Sequence, residues 1–199
     1  TAASIASVTV PDSDPLPSYI TSISAQLDPR VAQTLVQLEG TGRQLLALRS
    51  YLRSSSRLAE RWSWTQEQIE AFEGSPEQRD LQQEIDRVQT VFVAANPGFE
   101  LYVNPQVRSL NAQIEHWNIN ESVKAAAQEI LVAAQAQIAS SGSSMDRPEQ
   151  VREAFKAFLS GYRPVPTPTI AAPGLSLHGQ MRAIDFQVLQ GGRVVAGPN

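Results

Sequence analysis

The chain has no cysteine, only two histidines in 199 residues, and no apolar run long enough to cross a bilayer. Each absence removes a class of function. Without cysteine there is no disulfide framework and no thiolate ligand, so a metal would have to be held by His, Asp or Glu. A membrane-spanning helix needs about 20 predominantly apolar residues, and no stretch supplies them. A basic surplus is lacking too. The 16 Lys and Arg against 20 Asp and Glu leave a net charge of −4, which argues against a nucleic-acid partner, because phosphate neutralisation needs clustered cations. The opening residues show no charged segment followed by an apolar one. Thr1-Ala2-Ala3-Ser4 fits either a mature terminus left by signal cleavage or an arbitrary cut.

What is present is an ordinary globular composition, 42% hydrophobic and 18% charged, with length enough to bury a core. Residues 1–28 mix Ser, Asp and three prolines, Pro11, Pro15 and Pro17, and predict an extended lead-in. Residues 29–142 predict a helical region. From Pro29 to about Leu58, Val31, Leu35, Leu38, Leu45, Leu48 and Leu52 recur at helical spacing, with Gly40-Thr41-Gly42 as a break between two helices. Thr65 with Gln68, and Ser75-Pro76 with Gln78, have the spacing of helix-start caps. The second opens a helix striped by Leu81, Ile85, Val88 and Phe92. Phe99–Val103 predicts a short strand, and two helices follow, through Val107–Trp117 and from about Asn120 to Ser140. Gly142 marks a turn, and Asp146-Arg147-Pro148-Glu149 a further capping box ahead of Val151, Phe155 and Phe158.

Residues 143–199 are expected to begin a further small domain, and after Ser160 the texture changes. Pro164, Pro166, Pro168 and Pro173 describe a constrained loop. Arg182–Leu189 alternates as a strand, Gln190-Gly191-Gly192-Arg193 reads as a hairpin turn, and Val194-Val195-Ala196 begins a return strand. The expected fold class is α+β, a mostly helical N-terminal region followed by the start of a small antiparallel sheet.

Chemistry concentrates at His178 and Asp185. The histidine sits on the loop leading into the predicted strand that contains the aspartate, with six residues between them. One imidazole nitrogen and one carboxylate oxygen suit zinc. Between Ile184 and Phe186, an ionised Asp185 is costly to bury unless paired or metal-bound. Alternation along the strand offers the other possibility, that Asp185 faces water.

Ser160-Gly161-Tyr162-Arg163, followed by Ser176-x-His178-x-x-x-x-Ala183-x-Asp185, resembles the zinc D-alanyl-D-alanine carboxypeptidase and dipeptidase family, over about residues 158–197. The resemblance implies a peptidase-type sheet and zinc-dependent hydrolysis of peptide bonds in peptidoglycan stem peptides. It also implies a periplasmic or secreted bacterial location with the signal peptide removed. It makes His178 and Asp185 the first two zinc ligands and sets Arg163 over the site, where its cation would stabilise an oxyanion. Ser176 and Tyr162 would touch substrate. Met181 stands where the family has glycine. The family's downstream Glu-x-x-His segment, source of the third ligand and the general base, has no counterpart after Asp185. The expectation is therefore a fragment, or the ordered part of a longer chain; the alternative is a non-catalytic module that binds cell wall or a partner on the same fold.

The remaining features read structurally. Glu115 and His116 are neighbours, pointing about 100° apart on a helix, and so form a surface pair beside Trp117 rather than a joint metal site. Trp62, Trp64 and Trp117 read as packing residues before sugar-stacking ones. Arg49, Arg53, Arg57 and Arg61 recur every four residues as one basic stripe, a solvated helix face or a surface for anionic carboxylates.

Overall fold

A computed structural model describes residues 14–140 and 148–197. It is α+β and mostly helical, with one three-stranded antiparallel sheet among the described residues. The first element corrects the expectation of an extended lead-in. Helix α1, Leu16–Ser24, buries Leu16, Ile20 and Ile23, one apolar stripe at helical spacing. The prolines that argued against a helix stand at its start, where the missing N–H has no intrahelical partner to lose. Asp14 accepts a 3.1 Å hydrogen bond from the Leu16 N–H.

Helix α2, Pro29–Leu35, is capped by Asp28, whose side chain accepts from the Arg30 N–H. Helix α3, Thr41–Ser54, starts at Gly40, whose φ of 78° ends the previous turn. It forms the centre of the core, burying Leu45, Leu46, Leu48 and Tyr51. The break expected at Gly40-Thr41-Gly42 separates α2 from α3, but α3, expected to reach about Leu58, stops at Ser54, because Ser55 turns to a φ of 47°. A 3-10 turn, Ser55–Arg57, and the one-turn helix α4, Leu58–Arg61, follow. Helix α5, Gln66–Phe72, has the complete reciprocal capping box of Thr65 and Gln68. Helix α6, Pro76–Ala95, is capped by Ser75 as its sequence predicts. Its apolar stripe is covered only in part: Ile85 is buried, while Val88 stays 40% exposed.

Strand β1, Glu100–Val103, precedes helices α7, Leu110–Ile119, and α8, Glu121–Ser140. Helix α9, Pro148–Gly161, completes the helical layer with Phe155 and Leu159 fully enclosed. The expected Gly142 turn, the cap at Asp146 and residues 1–13 of the lead-in lie outside the described residues. Helices α3 and α8 cross so closely that a Cβ on Gly42 would lie 2.3 Å from the Ala127 carbonyl oxygen. One apolar cluster runs from Leu16 through Trp62 and Trp117 to Leu175, so residues 148–175 share the core of the preceding helices. The tryptophans Trp62 and Trp117 are packing residues, as their positions predict.

Strands β2, Phe186–Gln190, and β3, Arg193–Ala196, form the expected hairpin. Gly191 and Gly192 take φ of 57° and 76°, the left-handed pair that a tight two-residue hairpin requires. Strand β2 pairs with β1 in the register Val103↔Phe186. The strand expected over Arg182–Leu189 begins only at Phe186, so Asp185 lies just ahead of it and not within it. That pairing brings the segment after β1 beside the segment before β2, which is where the chemistry collects.

Candidate functional site

The loop of residues 172–182 is clamped onto the turn between α4 and α5. The Ser63 N–H donates to the Gly174 carbonyl at 2.8 Å, and the Trp64 N–H to the Gly179 carbonyl at 2.9 Å. The Tyr51 hydroxyl donates to the Pro173 carbonyl at 2.8 Å from inside the core. Gln180 donates its side-chain amide to the carbonyls of Glu60 and Trp62, at 2.9 and 2.7 Å. Buried Gln113 joins three segments: it accepts from the Gly174 N–H at 3.0 Å and donates to Ser63 Oγ at 2.9 Å and to the Arg108 carbonyl at 2.8 Å. There is no room to spare, since a Cβ on Gly179 would meet Ser63 Oγ at 2.1 Å.

On this clamped loop His178 lies in a 3-10 turn, Leu177–Gln180, closed by Met181 in the left-handed conformation at φ 52° and ψ 27°. An L-residue in that region costs roughly 1–2 kcal/mol that glycine escapes. Met181 thus holds a backbone shape suited to the glycine of the resembled motif.

His178 Nε2 stands 3.6 Å from Asp185 Oδ1. The other carboxylate oxygen, Oδ2, accepts a 3.2 Å hydrogen bond from Arg108 Nη2. The Arg108 N–H also donates to the His178 carbonyl at 3.1 Å, so one residue ties the histidine's backbone to the aspartate's side chain. The three side chains are partly open, at 24% for His178, 38% for Asp185 and 35% for Arg108. They line a cleft of about 890 Å³ whose walls also include Arg61, His116, Ser176 and Leu177. A smaller hollow of about 300 Å³ beside it is again lined by Arg108, His116, His178 and Asp185.

Of the residues that the sequence singles out, the structure brings His178, Asp185 and Ser176 to one cleft. Tyr162 and Arg163 do not line it. The Tyr162 hydroxyl donates to Glu129 on α8, and its backbone carbonyl accepts from Arg49. Burial, with Arg53 and Arg163 close by, holds the Arg49 guanidinium below its ordinary value. The guanidinium at Asp185 is that of Arg108, which no sequence motif marks. The pairing of β1 with β2, whose register ends at Val103↔Phe186, brings the segment after β1 to the segment before β2, and no signal in the sequence announces it. His116, read as a helix-surface residue, is exposed as expected but faces the same cleft.

Whether this donor set fits zinc is a question of separations. Zn–N and Zn–O bonds of about 2.0–2.2 Å at tetrahedral angles place two ligand atoms about 3.4 Å apart. The 3.6 Å between His178 Nε2 and Asp185 Oδ1 matches two corners of such a site. Among the described residues no group of three or more His, Asp or Glu completes it. The chain matches no family model, no curated protein and no solved structure.

Proposed function

We propose that this chain carries the His-Asp half of a zinc peptidase site acting on peptidoglycan stem peptides, in a periplasmic or secreted protein. The observation that carries the proposal is the approach of His178 Nε2 to Asp185 Oδ1 at 3.6 Å on the wall of an open cleft. The left-handed backbone at Met181 supports it, because it matches the glycine of the resembled motif.

His178 and Asp185 would hold the metal. A zinc ion held there would supply Lewis acidity toward a peptide carbonyl and a bound water. The chain's own residues do the positioning. Arg108 donates to Oδ2 of Asp185, which leaves Oδ1 beside the imidazole. The Trp64 and Arg108 N–H bonds to the carbonyls of Gly179 and His178 fix the histidine's loop from two sides. Ser176, buried on the same wall, would touch an extended peptide.

Hydrolysis of a stem pentapeptide by the full-length protein tests this. Zinc-dependent release of D-alanine, abolished by His178→Ala and by Asp185→Ala, is the expected result. Retained activity in either variant would sink the assignment. The second reading, a non-catalytic module binding cell wall, is favoured by the missing third donor among the described residues and by the placement of Arg163 away from the cleft. Tight binding of peptidoglycan with no product released, with or without zinc, would establish it.

A further inference from the structure

The basic stripe on α3 and α4 does not survive folding as one surface. Arg49 donates to the Tyr162 carbonyl and Arg53 to the Ser160 carbonyl, so both cap the C-terminal end of α9. Carbonyls at a helix C-terminus lack intrahelical partners and carry partial negative charge, which suits cations there. Arg57 pairs with Glu60 at 4.0 Å. Arg61 differs from all three. It is half-buried, it lines the cleft with Ser176, His178 and Asp185, and it has no hydrogen bond or ion pair among the described residues.

Its place is fixed by the backbone around it. The Gln180 amide bonds the carbonyls of Glu60 and Trp62, the residues on either side of Arg61. Gln180 is two residues beyond His178, and the next bond along, Trp64 N–H to Gly179 carbonyl, comes from the residue adjoining the histidine. Arg61 and His178 are therefore held in one rigid frame. The charge balance of the cleft points the same way. Arg108 neutralises Asp185, so Arg61 leaves one positive charge uncompensated. A guanidinium in a partly enclosed cleft binds a carboxylate through a bidentate fork.

We propose that Arg61 is the anion-recognition residue of this cleft, taking the carboxylate of a peptide that lies across His178 and Asp185. The identity of the peptide rests on the peptidase proposal; the anion site does not. Arg61 is a specificity residue, and a ligand without the carboxylate loses its contact.

The experiment measures binding of N-acetyl-D-alanyl-D-alanine and of its C-terminal amide, by isothermal titration at low salt, to wild type, Arg61→Gln and Arg61→Lys. Wild type should prefer the acid by about tenfold, the size of a charge-assisted contact. Arg61→Gln should lose the preference while keeping the wild-type melting temperature, because Arg61 has no partner to lose. Arg61→Lys, with the charge but not the fork, should keep part of it. Equal affinity for acid and amide, a preference that survives in Arg61→Gln, or no binding of either peptide overturns the proposal. His178-dependent hydrolysis without acid preference would leave the peptidase reading intact and refute Arg61. An Arg61-dependent preference without any hydrolysis would do the reverse.

Discussion

Arg108 and Asp185, 77 residues apart in sequence, meet in a 3.2 Å ion pair that occupies one carboxylate oxygen and leaves the other beside His178. Both side chains are more than a third exposed or close to it, and ion pairs of that exposure contribute about 0–1 kcal/mol. Asp185→Asn should therefore lower stability by less than about 1 kcal/mol in urea denaturation. If the proposed zinc site is right, the same substitution should also abolish peptide hydrolysis, because an amide oxygen is a poor substitute for a carboxylate ligand. A loss of several kcal/mol would make Asp185 a structural residue instead.

Met181 provides a backbone test. Its φ of 52° is accessible to an unbranched side chain at a cost and is hostile to a β-branched one. Met181→Gly should leave stability within about 1 kcal/mol of wild type, since relief of the left-handed conformation offsets the greater freedom of the unfolded chain. Met181→Val should be destabilising by about 1–2 kcal/mol. Denaturant midpoints of the three proteins check the order.

Gly179 and Gly161 make a matched pair. A methyl on Gly179 collides with Ser63 Oγ and comes within 2.7 Å of Gln113 Nε2, whereas one on Gly161 meets nothing within 4 Å. Gly179→Ala should cost about 3 kcal/mol, at the upper end for overpacking, and should displace His178 as the loop lifts. Gly161→Ala should stay within about 0.5 kcal/mol of wild type. Thermal or urea unfolding distinguishes them.

Burial, together with the hydrogen bond to Glu129, pushes the Tyr162 hydroxyl up to about 12, above the value near 10 of an unfolded tyrosine. The native state thus keeps the proton longer than the unfolded state. The stabilisation is complete below pH 10 and declines as pH rises toward 12. Wild type should lose stability relative to Tyr162→Phe across that window, measured as the difference between their unfolding free energies at each pH. A difference that stays flat contradicts the contact.

Local chemistry was the legible part of this chain. The caps at Thr65 and Ser75 and the Gly191-Gly192 hairpin depend on residues within four positions of each other, and the sequence displays them directly. Helix α1 was hidden because Pro15 and Pro17 disfavour a helix interior yet suit its first turn. The α6 stripe is borne out only in part: the helix packs chiefly on β1, which covers Ile85 and half-covers Leu81 and Phe92 but leaves Val88 exposed. At the site, His178 and Asp185 could be picked out by type and spacing. Arg108 could not, because its role depends on the pairing of β1 with β2, and Arg61 was blurred into a stripe whose other three members fold onto partners of their own.

Zinc uptake, followed by isothermal titration on the full-length wild type, His178→Ala and Asp185→Ala, decides whether His178 and Asp185 form two corners of a metal site. The proposed site should take up one zinc per wild-type chain, with affinity reduced by at least a hundredfold in both variants. Uptake that is unchanged in either variant, or no uptake by wild type, would contradict it.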